Sequence, residues 1–500
     1  MIDPTLRTSL LRMSALALAL ATQSIAQSSA ATAAPDQCKP KVIANDVIVT
    51  NRERVDVGYH VQPEGIIPNP SGWPFFAWSD TSLGVARTRD GSGYLFFGSD
   101  GGCHEGCTTD TQRWGSITRS QGTLDHPLGE PQDDPDPPVT EFAFPVTENL
   151  PADIDYAGSG PVYRVPEGEP GAGNLLTVYH IERHATPLWS WTGLSKSADD
   201  GITWQDLGLI LAVPHAYNYR GASDTGESPL VPYIDPATGR KYFYLFFPQH
   251  CWIGNGECPD FTFISVSRAP YEDLLAAAAT DASVSTMFHK YYKGHWDQPG
   301  LGGLADETFP NVTGYTDGDI EITWSAYRNR FVAMVDNAQY IAYGESTDGL
   351  YWPAMQVLLG PAPANYVYGY ANAVGLGEDP GVLGDTFFSY YTYSDSWQPS
   401  SVNRLTITTA AVLKSIAPSS TTAGGPSFLL TLSGDNFQAT SSVTWNGLPV
   451  PTTYLSERKL TAQIPAANIA APGQAQVGVT NPAPCGGDSD LQSFTVAPSK

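Results

Sequence analysis

A strand–turn–strand pattern recurs five times in this 500-residue chain, and it constrains the fold more than any other feature. Each copy has a short extended run, a turn with Gly, Asp or Asn, and a second run rich in β-branched and aromatic residues, which predicts a β-hairpin. The copies cover residues 82–100, 159–181, 228–248, 321–336 and 373–393. We therefore predict an all-β protein with a five-bladed β-propeller over residues 40–410. Uneven spacing predicts loop insertions, and the alternative is one large β-sandwich or two separate ones.

Two turn motifs and one helix interrupt this pattern. Residues 197–204 read SADDGITW and match the Asp-box turn S-x-D-x-G-x-T-W, and residues 346–352 read STDGLYW, a shortened version. The Asp side chain of such a turn accepts backbone N–H groups and the Gly supplies a positive φ, so we predict a structural role. Residues 270–280 predict an amphipathic helix inserted between the third and fourth hairpins.

The composition excludes several classes of partner. Acidic residues outnumber basic ones 51 to 26, for a net charge of −25, whereas nucleic acids and anionic membranes attract basic surfaces. Hydrophobic residues make up 41% and aromatic residues 11%, which is enough for a large core. We expect a monomer that binds neither nucleic acid nor a membrane interior.

The N-terminal residues predict an export signal. Arg7 and Arg12 precede the short apolar run SALALALA at residues 14–21, and small residues before positions 26 and 34 form two cleavage patterns. We predict a signal peptide over residues 1–26, with cleavage as late as residue 34 as the alternative, and a secreted or periplasmic protein. The other interpretation of the run is a buried amphipathic helix.

Six cysteines follow this segment, and an even number in an exported chain predicts disulfides. The close pairs Cys103/Cys107 and Cys251/Cys258 would each close one loop, and the overall connectivity stays open. The alternative is a metal site in the segment CHEGC at residues 103–107. The acidic segment DDPD at residues 133–136 is an alternative calcium site, although the two prolines after it favour a solvated loop. We expect no required cofactor, with calcium as the one ion to consider.

The composition changes near residue 411, where short alternating strands predict a small β-sandwich over residues 411–498. Its motifs include Gly424-Gly425, Gly434-x-Asn436-Phe437, Trp445-Asn446-Gly447 and Val479-Thr-Asn-Pro482. With these motifs the segment resembles the IPT/TIG immunoglobulin-like domain. The resemblance implies an accessory module.

Acidic residues stand near the start of four of the five repeats. They are Asp80, Asp155, Glu227 and the pair Asp319 and Glu321. The innermost strands of a propeller surround one axis, so side chains near the start of these strands converge on one face. We predict a central cluster of carboxylates; for any single residue the alternative is a turn or a solvated loop.

The segment Glu227-Ser-Pro resembles the E-x-P strand of five-bladed glycosidases of the arabinanase, xylosidase and invertase groups. The resemblance implies that Glu227 is the general acid, that Asp80 is the base or nucleophile, and that Asp155 tunes the acid. Asp153 is the alternative to Asp155.

A second resemblance is to secreted propellers that include endo-D-arabinanases, through residues 79–84, 97–100 and 344–346 and through Trp352. The Phe-Gly-Asp motif of that family is interrupted here by Ser99.

Glycosidic cleavage needs one protonated carboxyl and one ionised carboxylate, which agrees with this set of residues. We predict Asp80, Asp155, Glu227 and Glu321 as catalytic, with no metal ligand. Sugar rings need flat apolar faces and hydrogen bonds, and the predicted substrate-binding residues are Trp78, Asp100, Trp114, His184, Asp319 and Tyr368. The alternative for residues 182–184 is a surface charge cluster.

The predicted function is that of a secreted glycoside hydrolase acting on a plant or bacterial cell-wall polysaccharide such as arabinan or arabinogalactan. The alternatives are a non-catalytic carbohydrate-binding or adhesion propeller and a sialidase-like hydrolase. The arginines near the repeats do not occupy equivalent positions, which disfavours the arginine triad of a sialidase.

Overall fold

The computed structural model describes residues 40–50, 61–62, 81–98, 116–129, 139–143, 156–183, 189–212, 222–224, 228–251, 261–308, 320–353, 355–395, 398–482 and 486–499. All of them belong to one compact unit, residues 38–500. No helix among them is long and apolar enough to cross a membrane.

Five antiparallel blades of four or five strands form the propeller, which confirms the predicted fold class. Strands β1 (Lys41–Val49) and β2 (Val61–Gln62) precede the first blade. Blade 1 contains β3 (Gly84–Arg87), β4 (Tyr94–Gly98), β5 (Ser116–Gly122) and β6 (Val139–Ala143). Blade 2 contains β7 (Tyr156–Arg164), β8 (Leu175–Arg183), β9 (Trp189–Ser197) and β10 (Gln205–Leu211). One parallel pair, Ser116 with Gly158, joins blades 1 and 2 into a single sheet, and β2 pairs in parallel with β6.

The first strand of blade 3 is interrupted, and this blade carries an insertion. It contains β11 (Ala222–Asp224) and β12 (Val231–Ile234), then β13 (Lys241–Cys251), β14 (Phe261–Pro270), α1 (Tyr271–Ala279), β15 (His289–Tyr292) and β16 (His295–Pro299). Helix α1 confirms the predicted helix. Its buried face, which includes Leu274 and Leu275, joins the apolar core between blades 2 and 3, so the insertion thickens that interface.

Blades 4 and 5 complete the ring. Blade 4 contains β17 (Ile320–Ser325), β18 (Arg330–Asp336), β19 (Ile341–Ser346) and β20 (Gln356–Leu359). Blade 5 contains β21 (Tyr366–Gly369) and β22 (Val374–Gly375) in its first strand, then β23 (Thr386–Asp395) and β24 (Gln398–Thr408). Its fourth strand is β1, which pairs antiparallel with β24 from Lys41 opposite Thr408 onward. The chain therefore closes the propeller with its own N-terminal strand.

Both Asp-box segments form the predicted turns, each between the third and fourth strands of a blade. In blade 2, the Asp199 carboxylate accepts the Thr203 N–H at 2.8 Å and the Thr203 hydroxyl at 2.6 Å. Trp204 Nε1 donates to the Gly201 carbonyl oxygen at 3.1 Å. Gly201 has φ +86°, and a Cβ there would lie 2.3 Å from the Phe97 ring, so the turn requires glycine. Blade 4 repeats this geometry with Asp348.

Replacing Asp199 by alanine is expected to lower the free energy of unfolding by about 1–3 kcal/mol, because two Thr203 donors and the Ser197 hydroxyl lose their acceptor. Burial opposes ionisation of Asp199, but these hydrogen bonds prevail and lower its pKa. The measurement is urea denaturation, with the exposed residue Glu272 replaced by alanine as the control. Equal midpoints for the Asp199 variant and the wild type would contradict the structural role of the turn.

The C-terminal residues form a small sandwich of two sheets around their own apolar core. One sheet has the order β25 (Val412–Ala417), β27 (Phe428–Asp435), β31 (Lys459–Ile464) and β30 (Thr452–Ser456). The other has the order β26 (Ser420–Thr422), β34 (Gln492–Ala497), β32 (Gly473–Asn481), β28 (Ser442–Trp445) and β29 (Leu448–Val450), with β33 (Gly487–Asp488) paired to β32. A 3₁₀ helix spans Ala466–Ile469.

The sandwich packs directly against the end of blade 5. Asn436 Nδ2 donates to the carbonyl oxygens of Thr408 at 3.0 Å and Ala410 at 3.2 Å. A Cβ on Gly487 would lie 2.2 Å from the Asp385 carboxylate, so the two domains approach closely at this point. These buried contacts attach the sandwich firmly to the propeller.

Candidate active site

Contacts between the first strands of neighbouring blades define the axis of the propeller. Between blades 3 and 4, the Ser228 hydroxyl donates to the Ile320 carbonyl oxygen at 2.8 Å. Between blades 4 and 5, the Ala373 N–H donates to Glu321 Oε1 at 2.9 Å. Hydrogen bonds therefore connect the first strands of blades 3, 4 and 5 to one another.

The ring closes through blade 1. Asn372 Nδ2 of blade 5 donates to the Leu83 carbonyl oxygen at 2.7 Å. A Cβ on the next residue, Gly84, would lie 2.8 Å from the Gly160 carbonyl oxygen of blade 2, so glycine permits the close approach of these two strands. Blades 2 and 3 meet through apolar packing, in which the rings of Tyr163 and Phe243 lie 5.0 Å apart edge to face.

In two pairs of neighbouring blades, the first strands run in the same direction along the axis. Between blades 1 and 2, the contact of Gly84 with Gly160 is followed by a hydrogen bond from Arg164 Nη2 to the Arg87 carbonyl oxygen. Between blades 4 and 5, Trp324 forms a parallel bridge with Val382, beyond the contact at Glu321. We call the end of the propeller at which these first strands begin the axial end.

Four of the predicted acids come before these first strands in the sequence, and all four lie outside the described residues. Asp80 precedes Leu83 by three positions, and Glu227 directly precedes Ser228. Asp319 precedes Ile320, and Asp155 precedes Gly160 by five positions. Because a strand rises about 3.3 Å per residue, chain segments of these lengths span no more than about 17 Å. Trp78, Asp100, Trp114 and His184 are also outside the described residues.

Glu321 is the predicted catalytic residue that the structure describes. Its side chain is 4% exposed, Oε1 accepts the Ala373 N–H, and Oε2 has no hydrogen-bond partner among the described residues. Burial raises the pKa of Glu321 to about 8, and the hydrogen bond from Ala373 opposes that shift only partly. Glu321 is therefore mainly protonated at neutral pH.

Tyr368, predicted to bind substrate, lies in the apolar core between blades 4 and 5. It is 7% exposed, and its ring packs edge to face on Tyr391 and stacked on Tyr393. Little of its surface is open to a ligand in this arrangement.

Two polar residues that connect neighbouring blades were not predicted as site residues from the sequence. Asp336, at the end of β18, accepts the Ala371 N–H at 3.0 Å. Asn372 bonds to blade 1 and also accepts the Tyr390 N–H at 2.7 Å. The sequence does show Asp336 as an acid directly after the apolar run FVAMV. Its hydrogen-bond partner Ala371 is 35 positions further along the chain, so the contact itself could not be predicted.

A shallow cleft of about 350 Å³ lies away from the ring, where the last strand of blade 2 meets the insertion of blade 3. Asp206, Asp281, Ser283 and Ser285 contribute its polar atoms. Burial raises the pKa of Asp206, whose carboxylate accepts the Tyr179 hydroxyl at 2.7 Å. No three His, Cys, Asp or Glu side chains of the described residues form a group that could hold a metal ion. The predicted cysteine pairs and the segment at 133–136 include residues outside this part of the chain.

Residues 411–496 match the IPT/TIG domain family. The predicted IPT/TIG domain is thereby confirmed, and it packs on the propeller through Asn436. No curated protein sequence matches the chain.

Several solved structures are similar to the chain at low identity. The catalytic domain of the Coprinopsis cinerea GH62 α-L-arabinofuranosidase has a TM-score of 0.38 and 10% identity, covering 72% of this chain and 98% of its own. The exo-β-1,3-galactanase of Phanerochaete chrysosporium has a TM-score of 0.34 and 10% identity, covering 84% and 91%. A protein of unknown function from Dyadobacter fermentans has a TM-score of 0.36 and 12% identity, covering 74% and 99%.

Proposed function

We propose that this protein is a secreted glycoside hydrolase that cleaves an arabinose-containing cell-wall polysaccharide with paired carboxyl groups at the axial end. The observation that carries the proposal is the meeting of the first strands of neighbouring blades. In blades 1 to 4 a predicted acid comes before the first strand in the sequence, which supports a shared site for these acids. The arginine-flanked apolar run at residues 7–21 supports export. The resemblance of residues 79–84 to endo-D-arabinanase propellers supports the substrate class.

The proposed chemistry divides the work between two carboxyl groups. Glu227 donates a proton to the leaving glycosidic oxygen, while Asp80 attacks the anomeric carbon or activates a water molecule. Asp155 is assigned to tune the acid, because a carboxylate beside a carboxylic acid disfavours ionisation of that acid by like-charge repulsion. The polysaccharide approaches from the axial end.

The test is sugar release by the exported chain from arabinan, arabinogalactan, galactan and xylan. We expect release from the arabinose-containing substrates, and a loss of about 10²–10⁴-fold in kcat when Asp80 is replaced by asparagine. Affinity electrophoresis on the same polysaccharides serves as the control, because the Asp80 variant should still bind them. Binding by the wild type without release of sugar from any substrate would contradict the proposal and favour a non-catalytic binding propeller.

A further inference from the structure

The cleft of about 350 Å³ lies on the perimeter of the propeller, where the insertion of blade 3 meets β10, the outermost strand of blade 2. The insertion is attached near the start of this strand and just after its end. The Val284 N–H donates to the Leu207 carbonyl oxygen at 3.0 Å, and the Ala212 N–H donates to the Gly300 carbonyl oxygen at 3.1 Å. The cleft lies beside residues 206–209 of β10, away from the first strands that surround the axis.

Two carboxylates of the cleft are held in place by contacts within the protein. Asp206 Oδ1 accepts the Tyr179 hydroxyl at 2.7 Å and the Gly208 N–H at 2.9 Å. Asp281 stands at the rim, with 58% of its side chain exposed, and is paired with the buried ammonium of Lys196. Because both acids are fixed before a ligand binds, little ordering of side chains is needed on binding.

The insertion adds two hydroxyl groups to the cleft. Ser283 Oγ donates to Ser285 Oγ at 3.2 Å, and both serines line the cleft. Gly208 faces them with φ +104°, and a Cβ there would lie 2.4 Å from Ser285 Oγ. Glycine on β10 therefore leaves room for the hydroxyl groups. The partly exposed side chains of Leu209 and Leu301 supply apolar surface.

We propose that this cleft is a second carbohydrate-binding site, which takes a neutral sugar residue of a polysaccharide. Carboxylates accept hydrogen bonds from sugar hydroxyls, and serine hydroxyls both donate and accept. The leucine side chains can cover the C–H face of a sugar ring. The volume lies at the lower end of the range for small-molecule sites, about 300–1,000 Å³, and suits a short stretch of a sugar chain. In taking a polysaccharide as its ligand, the inference rests on the proposed function.

The charges of the cleft favour a neutral ligand over an ion. Lys196 neutralises Asp281, so Asp206 contributes the remaining charge. An anion would lie beside two carboxylates, which is unfavourable. A metal ion would compete with Lys196 for Asp281, and the described His, Cys, Asp and Glu residues form no group of three that could hold one.

Polysaccharide binding by a chain with the Asp80→Asn substitution tests the site. In this chain, Ser283→Leu combined with Ser285→Leu removes both hydroxyl groups and fills the cleft. We expect the affinity for arabinan in affinity electrophoresis to fall about 10–100-fold, because the polysaccharide is then held at one site instead of two. The matched control is Thr286→Leu, an exposed residue of the same turn that does not line the cleft. It should bind arabinan as tightly as the parent chain.

Hydrogen exchange locates the bound sugar without any substitution in the cleft. The probe is an arabinan-derived oligosaccharide at about ten times its Kd, added to the Asp80→Asn chain. Amides of residues 206–209 and 283–286 should then exchange about 10-fold more slowly, because they open only when the ligand has left. Unchanged exchange in both segments overturns the inference.

Kinetics on two substrates separates the cleft from the reaction site. In the otherwise wild-type chain, the paired serine substitutions should raise KM for arabinan about 10-fold. They should leave kcat/KM for a small aryl glycoside within about twofold, because such a substrate does not extend to a second site. An equal loss on both substrates overturns the inference, since the substitutions would then act on the reaction itself.

Failure of the second site can be told apart from failure of the proposed function. Sugar release together with unchanged arabinan binding by the paired serine variant overturns the inference and leaves the proposed function standing. Binding that depends on the cleft, without sugar release by the wild type, overturns the proposed function and supports the second site. Absence of binding to arabinan, arabinogalactan, galactan and xylan by the Asp80→Asn chain overturns the inference.

Discussion

Replacement of Glu227 by glutamine is expected to lower kcat on the natural polysaccharide by about 10²–10⁴-fold with the fold intact. The amide has nearly the shape of the carboxyl group but cannot donate an acidic proton to the leaving sugar oxygen. An aryl glycoside with a good leaving group needs little protonation, so its cleavage should fall much less. The measurement is kcat/KM on the polysaccharide and on the aryl glycoside, for the wild type and the variant.

The matched control is Glu272→Gln, a substitution of the same chemistry on the exposed face of α1. This variant should keep wild-type activity on both substrates. Equal activity of wild type and Glu227→Gln on the polysaccharide would remove Glu227 as the general acid. An equal loss on both substrates would assign it to a step other than leaving-group protonation.

Replacement of Arg328 by methionine is expected to lower the free energy of unfolding by about 3–5 kcal/mol. Arg328 is 1% exposed and its Nε lies 3.6 Å from Oε1 of Glu345, which is 2% exposed. Its Nη2 donates to Thr409 Oγ1 at 2.7 Å and to the Asp385 carbonyl oxygen at 3.2 Å. Loss of the guanidinium removes these bonds and leaves Glu345 buried with less compensation. Urea denaturation of the full chain measures the effect.

Two further variants identify the cause of this loss. Arg330 also lies near Glu345, at 3.5 Å, but its side chain is partly exposed, so Arg330→Met should cost less. Combining Arg328→Met with Glu345→Met removes both buried charges and should recover part of the lost stability. A double variant less stable than Arg328→Met would show that the remaining charge is not the source of the penalty.

The hairpins, the Asp-box turns and the IPT/TIG domain were predictable from the sequence because each depends on residues close together in the chain. Strand alternation, turn glycines and the acceptor Asp199 lie within a few positions of their partners. Asp199 and Thr203, for example, are four residues apart. Such patterns also predicted α1, in which Tyr271, Leu274 and Ala278 recur at helical spacing.

The closure of the propeller could not be predicted from the sequence, because its contacts join segments that are far apart in the chain. Strand β1 pairs with β24 across the whole propeller, and Asn372 bonds to a carbonyl 289 positions earlier. The position of Glu321 between blades 4 and 5 follows from the register of β17 with β18, which a single sequence does not specify. The sequence predicted that Glu321 stands near the start of an inner strand, whereas the contacts of its side chain could be found only in the structure.

The central claim is that Asp80 and Glu227 face each other at the axial end. A crystal structure of the protein tests it most directly, through the distance between the two carboxyl groups. We predict about 5–10 Å, with about 5–5.5 Å for a retaining enzyme and about 6.5–9.5 Å for an inverting one. A distance of more than about 12 Å, or side chains at opposite ends of the propeller, would contradict the paired-carboxyl mechanism.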